Sequence, residues 1–157
     1  LAILGTVALV VIPRVGSFSA GELKRTSRHL AGVISHLTQE SASTKQVYRL
    51  YFNLDSNDYW VSNVQGSGEL VTLNENRTIK RRHLPDTITF EDIVTARQGK
   101  VTEGEVFAEI HPIGVEAMTI HLIEEGGEGL ERRYFTLRVN PLTGRVKAFD
   151  YYVDSVE

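Results

Sequence analysis

Leu1-Ala2-Ile3-Leu4-Gly5-Thr6-Val7-Ala8-Leu9-Val10-Val11-Ile12 opens the chain, and Pro13-Arg14 closes the run. The stretch carries no charge, and its one polar side chain is Thr6. A buried strand or core helix could be built from such residues, but these stand directly ahead of a charged, amphipathic helical pattern. A helix that crosses a bilayer needs about 20 apolar residues, so this run does not span one alone. Leu1 is not an initiator methionine, which leads us to expect residues upstream, and roughly eight more apolar ones would complete a span. Residues 1–13 are therefore read as the surviving half of a transmembrane helix. Its membrane and assembly surface consists of Leu1, Ile3, Leu4, Gly5, Val7, Leu9, Val10 and Ile12, with Pro13 at the exit. Gly5 allows a neighbouring helix to approach closely.

Beyond Pro13 the period becomes that of a soluble helix. Leu23, Leu30, Ile34 and Leu37 recur at helical spacing, flanked by Ala31 and Ser41, while Lys24, Arg25, Arg28 and Gln39 lie off the stripe. The spacing predicts one amphipathic helix from about Ala20 to Lys45, within a segment bounded at 14–45, whose stripe of Leu23, Leu30, Ile34 and Leu37 faces a sheet. Pro13 bars a standard backbone hydrogen bond at its own position and bends any helix that continues through it. Arg14, Lys24 and Arg25 then stand outside the hydrocarbon, where cations face headgroups at little cost.

From Gln46 the period is two. Tyr48, Leu50, Phe52 and Leu54 alternate with Val47, Arg49, Tyr51 and Asn53, Asp55 to Asp58 supplies a turn, and Tyr59 to Val64 returns as the second strand of a hairpin. Further strands are predicted at Glu69–Leu73, Thr78–Leu84, Thr87–Val94 and Val106–Ile110, with Ile88, Phe90 and Ile93 in the core. Gln98-Gly99-Lys100 and His111-Pro112-Ile113-Gly114 read as turns. Met118 to Leu122, Tyr134 to Val139 and Val146 to Tyr152 form a closing antiparallel meander, with Glu124 to Gly129 as a solvated loop between its first two strands. Strands and helices do not alternate, which argues against a parallel sheet. The expected class is α+β: a long N-terminal helix on an antiparallel β domain, with residues 46–157 and 14–45 as one globular unit.

The chain of 157 residues has room for a single core, and 41% hydrophobic with 24% charged residues is ordinary globular usage. Its net charge of -3 is unevenly placed, because Val101 to Glu131 holds eight glutamates and no lysine or arginine. That distribution disfavours nucleic acid as the main partner, since phosphate binding rests on Lys and Arg. The absence of cysteine excludes disulfides and thiolate metal sites. Pro13-Arg14-Val15 is a poor signal-peptidase site, so the apolar run is not read as a cleavable signal.

No chemistry-bearing motif emerges. His29 and His36 fall near one helical stripe and His83, His111 and His121 are scattered, without zinc-protease spacing, so solvated or hydrogen-bonded roles are expected. Asp55-Ser56-Asn57-Asp58 begins like a calcium loop, but Trp60 stands where that loop needs glycine and Gly66 where it needs glutamate, so a hairpin turn is the better reading. Gly99-Lys100 lacks the upstream glycine of a phosphate loop, and Ser67 is not in a nucleophile elbow. Glu91-Asp92 and Glu124-Glu125 are sequence neighbours, which in a strand point to opposite faces. Lys80-Arg81-Arg82-His83 is read as a charged sheet edge. No catalytic, cofactor or metal residue is assigned.

The apolar run with Gly5 part-way and Pro13 at its exit, then an amphipathic helix, then only strands, resembles the type IV pilin and type II secretion pseudopilin family. Leu30-Ala31-Gly32-Val33-Ile34, Gln46-Val47-Tyr48-Arg49-Leu50-Tyr51-Phe52 and Tyr59-Trp60-Val61 look like the helix and first hairpin of its H-type minor pseudopilins. His111-Pro112-Ile113-Gly114 and Asn140-Pro141-Leu142-Thr143-Gly144-Arg145-Val146 look like that group's late-sheet signatures. The resemblance implies a non-enzymatic subunit without cofactor, single-pass in the inner membrane, with its soluble domain in the periplasm and an N-terminus methylated after leader cleavage. Its implied partners are other pseudopilins, the inner membrane and exported proteins. The family's peptidase site and early glutamate would lie before Leu1. Two readings compete: a minor type IV pilin for pilus priming or DNA uptake, which a basic C-terminal region would favour, and a membrane-tethered periplasmic domain binding a small ligand or cation.

Overall fold

The computed structural model describes residues 16–64, 70–72, 80–126 and 131–154. Residues 1–13, read above as a membrane stem, lie outside them, and no described helix is long and apolar enough to cross a membrane. Helix α1 runs Gly16–Thr44, starting ahead of the predicted Ala20. It ends where Lys45 takes the left-handed conformation, φ 59°, and its N–H donates to the Ser41 carbonyl at 2.9 Å. This is the single-bond form of the helix C-terminal cap. Ser41 Oγ covers the exit by donating to the Gln46 carbonyl at 2.6 Å.

Eleven strands follow among the described residues: β1 Val47–Asn53, β2 Asp58–Val64, β3 Leu70–Thr72, β4 Arg82–His83, β5 Ile88–Thr95, β6 Gly99–Val101, β7 Glu105–His111, β8 Gly114–Val115, β9 Met118–Glu124, β10 Arg133–Val139 and β11 Val146–Phe149. They form two antiparallel sheets. Sheet A has the order β3-β2-β1-β7-β8, with β4 also on β2; sheet B has the order β11-β10-β9-β5-β6. The closing meander β9-β10-β11 is thus one flank of sheet B, and β5 comes from earlier in the chain to lie beside β9. Of the strand expected at Glu69–Leu73, Leu70–Thr72 is strand and the remainder lies outside the described residues; of that expected at Thr78–Leu84, the described part is strand only at Arg82–His83; and the turn expected at Gln98–Lys100 sits at Ala96–Gln98. Gly99, directly after this three-residue loop, opens β6 with φ 68°, a left-handed conformation that glycine adopts without strain.

Helix α1 lies against strands of both sheets, touching β1 and β7 of one and β9, β10 and β11 of the other. Leu23, Leu30, Ile34 and Leu37 are buried, and so are Val33, Ser27 and Ser41. Beneath them Leu50, Phe52, Val106 and Ile110 of sheet A meet Phe90, Ile93, Ile120, Leu122 and Leu137 of sheet B in one core. Phe52 and Phe90 meet edge to face, with centroids 5.4 Å apart, and join the two sheets directly.

The central strand of sheet B, β9, is buried on both faces, which overturns two expectations. Every residue of β9 is buried, including Thr119 and His121, where alternation predicts an outward face. Glu124, placed in a solvated loop by its neighbours Glu125 to Gly129, is the last residue of β9 and is 2% exposed. In β5 the register shifts between Phe90 and Asp92. The bulge at Glu91 lets Phe90 and Ile93 both enter the core while Asp92 turns to the opposite face beside His121. Tyr51 of β1 is also buried, although it lies on the outer side of sheet A, because Trp60 and Phe107 flank it.

The β10–β11 turn presses on the helix. Asn140 Oδ1 accepts from the N–H groups of Leu142 and Thr143 at 3.0 and 3.1 Å, and Gly144 follows at φ 67°. A methyl group on Gly144 would lie 2.5 Å from Thr38 Cγ2 and 2.6 Å from Thr38 Oγ1, and that hydroxyl is itself bonded to the Ile34 carbonyl. Gly144→Ala combines overpacking with left-handed strain and is expected to lower the unfolding free energy by about 2–4 kcal/mol. Gly99→Ala, strained but with open space around its Cβ, is expected to cost about 1–2 kcal/mol. Urea denaturation checks both, and Thr38→Ala should recover part of the Gly144→Ala loss but none of the Gly99→Ala loss.

Candidate assembly surfaces

The helix stripe named from the sequence is wholly used in the core, so what the domain offers to other molecules lies elsewhere, including the outer faces of its sheets. On sheet A, β1, β2 and β7 line up Trp60, Tyr51 and Phe107. Trp60 and Tyr51 stack at 5.4 Å with an interplanar angle of 2°, and Phe107 tilts against Tyr51 at 5.3 Å. Arginines cover the rings: Arg81 lies 4.4 Å from the Trp60 centroid, and Arg49 lies 4.7 Å from that of Phe107. Such cation–π contacts add attraction to the shared burial. The guanidiniums are neutralised in place. Arg81 Nε donates to Asp58 at 2.9 Å. Arg97 grips Glu109 with two parallel bonds of 3.2 and 3.1 Å, while Arg49 Nε donates to the same carboxylate at 2.9 Å. The Arg97 hydrogen bonds, followed by those from Arg49 and both positive charges, overcome the effect of burial and bring the Glu109 carboxyl down to about 2.

Sheet B carries a different arrangement. Residues beyond β11 double back as a strap over the face away from the helix. Thr136 Oγ1 donates to the Tyr151 carbonyl at 2.7 Å and accepts from the Val153 N–H at 3.0 Å, and Arg138 reaches the Asp154 carbonyl at 2.8 Å. Tyr152 stacks on His121 at 4.0 Å, and its hydroxyl donates to Asp92 Oδ2 at 2.9 Å while accepting from Lys100 Nζ at 2.8 Å. His121 sits fully buried under the strap, with Nδ1 2.6 Å from Asp92 Oδ1 and Nε2 2.7 Å from the Val153 carbonyl. Burial works against the Asp92 charge, but hydrogen bonds from His121 and Tyr152 and the nearby positive groups hold its carboxyl below the ordinary range.

An aspartate orienting a histidine is half of a nucleophile-activating triad. Here the second imidazole nitrogen is bonded to a backbone carbonyl and not to a hydroxyl, so the pair fastens a strap and activates nothing. Sequence reasoning treated His121 as one of three scattered histidines and Asp92 as half of an adjacent carboxylate pair. The available signal was His121 between Ile120 and Leu122 in a strand continued by Ile123, where apolar residues occupy both faces. No group of three His, Asp or Glu side chains among the described residues is arranged to hold a metal ion.

No protein-family model matches the sequence, and no curated protein does. Among the solved structures that share the fold are two of the minor pseudopilin EpsH from the type 2 secretion system of Vibrio cholerae. One superposes with a TM-score of 0.64 over 85% of this chain and 99% of its own, the other with 0.65 over 86% and 98%, each at 11% sequence identity. The α+β arrangement of one helix on two antiparallel sheets is therefore that of a pseudopilin domain.

His121→Ala leaves the Asp92 carboxylate buried without its main partner and is expected to cost about 3–5 kcal/mol in urea unfolding. A double variant with Asp92→Ala should lose less than the two single losses added together, and strict additivity would contradict the pairing. For Glu109 the lowered folded value means that its contribution is fully present above the unfolded carboxyl value near 4.5 and fades as pH falls through about 2. The stability gap between the parent protein and Glu109→Gln should thus be constant above about pH 5 and shrink on acidification toward pH 2.

Proposed function

We propose that this chain is a minor pseudopilin, a structural subunit of the type II secretion pseudopilus. Residues 1–13 anchor it in the inner membrane, and residues 14–157 form the periplasmic domain. The observation that carries this reading is the combination of an apolar, Gly5-containing run at the head of the helix-first chain with a domain that superposes on EpsH over most of its length. The physical cycle follows from the residues. A stem pulled out of lipid reburies its apolar surface against sister stems, so one segment serves as both anchor and filament core. Its partners are then other pseudopilins and the inner membrane, with exported proteins met at the growing end near which a minor subunit is placed. The work is mechanical and calls for no bound cofactor. The uneven charge, with glutamates gathered in residues 101–131, supports secretion over a DNA-uptake pilin.

Val10→Lys places a cation in the stem at a cost of about 2.5–3.5 kcal/mol if it falls at the helix centre. The variant is expected to move from the membrane fraction to the soluble fraction on cell fractionation and to lose function. Deleting the gene should leave exported enzymes trapped in the periplasm, and complementation with the parent chain but not with Val10→Lys should restore them to the medium. Unchanged export together with lost pili or lost DNA uptake would transfer the chain to the type IV pilin reading.

A further inference from the structure

Below the aromatic strip, between α1 and the β4 edge, lies a groove of about 360 Å3 whose walls include Arg25, Thr26, His29, Tyr59, Arg82 and His83. Arg25 and His29 are one helical turn apart on α1, so their side chains lie on the same face. Arg82 reaches the groove from the basic run Lys80 to His83. Within that run the roles divide. Arg81 and His83 both bond the Asp58 carboxylate, at 2.9 and 2.8 Å. Arg82, between them in sequence, forms no ion pair among the described residues, and neither does Arg25. The fold thus draws two arginines and two histidines from α1 and β4 into one groove and leaves the arginines without an ion-pair partner among the described residues. Partial burial, and then the Arg82 charge, hold His29 below the ordinary imidazole value.

We infer that this groove receives a carboxylate-bearing segment of a neighbouring filament subunit, gripped by Arg25 and Arg82. Guanidinium groups are suited to it, because their planar forks bind carboxylates through paired hydrogen bonds. The chemistry excludes the other polyanions. A nucleic acid carries one charge for about every 1.7 Å of duplex and needs a long cationic track, whereas this groove is short and the chain is acidic overall. A bilayer headgroup, the contact the sequence suggested for Lys24 and Arg25, is out of reach when the helix stands upright. Arg25 is about 14 Å along α1 from Gly16, against a headgroup layer of about 5–8 Å. A second copy of this chain presents carboxylates in the required form. On this chain Asp55, Glu103 and Glu105 are exposed at adjoining turns, where Asp55 Oδ1 accepts from the Gly104 N–H at 3.1 Å, and none has a cationic partner among the described residues. A contact of groove to turn uses different patches on the two subunits, and heterologous contacts of that kind build open filaments and not closed dimers.

The inference rests on the filament reading for the source of the carboxylates, but its test does not. The soluble domain is titrated with a hexaglutamate peptide while the imidazole signals of His29 and His36 are followed by NMR, since His36 is exposed on α1 and does not line the groove. A saturable shift at His29 and none at His36 is expected, weakened about tenfold or more by Arg82→Glu or by Arg25→Glu. Circular dichroism checks that each variant is folded, and Arg82→Gln replaces any that is not. Phosphatidylglycerol vesicles, single-stranded oligothymidylate and inorganic phosphate form the comparison arms and should bind about tenfold more weakly or less. Absence of a saturable His29 shift, the same shift in folded Arg82 and Arg25 variants, or equal binding in any comparison arm would overturn the proposal. Export can fail in the gene deletion while the peptide does not bind, and the reverse, so the two readings stand or fall separately.

Discussion

The structure depends on one apolar stripe being covered by two sheets at once. Leu30, Ile34 and Leu37 are essentially without solvent contact, and neither sheet alone buries them, since α1 touches strands of both. Burying a leucine or isoleucine side chain is worth about 1.5–3 kcal/mol, so the stripe sets where the sheets must sit relative to the helix. Phe52 against Phe90 then completes the seam between the sheets beneath the helix. Gly144 shows how tight the arrangement is: a turn of sheet B comes close enough to Thr38 that no side chain fits between them.

With the inner faces committed to the core, the outer faces are free to differ. Sheet B closes its own with the C-terminal strap, and the closure is polar: a buried His121–Asp92 pair, Tyr152 over it and Thr136 bonding two backbone groups of the strap. Sheet A leaves its outer face to aromatic rings roofed by arginines whose charges are cancelled by Glu109 and Asp58. Tryptophan, tyrosine and arginine are the residues over-represented where protein surfaces bind most strongly. The division leaves one sheet sealed and the other, with the groove at its edge, open.

Much of this was legible in the residues. The period of Leu23, Leu30, Ile34 and Leu37 identified the helix and its buried side, because a helical stripe repeats locally and needs no knowledge of its partner. Tyr48 to Leu54 and Met118 to Leu122 likewise announced strands. The alternation failed where a second layer covered a strand that it took to be half exposed. Thr119 and His121 look outward in the pattern and are buried, because what covers that side of sheet B includes a strap that arrives from residues 150–154. A bulge at Glu91 compounded the difficulty, since one extra residue moves Asp92 to the face opposite the one a regular period assigns it.

The residues by themselves determined the order of the elements, the α+β class, the helix face and the character of the leading apolar run, all of which follow from local periodicity and composition. Only the tertiary structure decided that the strands divide into two sheets, that His121 and Asp92 meet beneath Tyr152, and that Arg25 and Arg82 share a groove. Those contacts join segments far apart in the chain, and their geometry is set by packing around the helix, which no local period encodes.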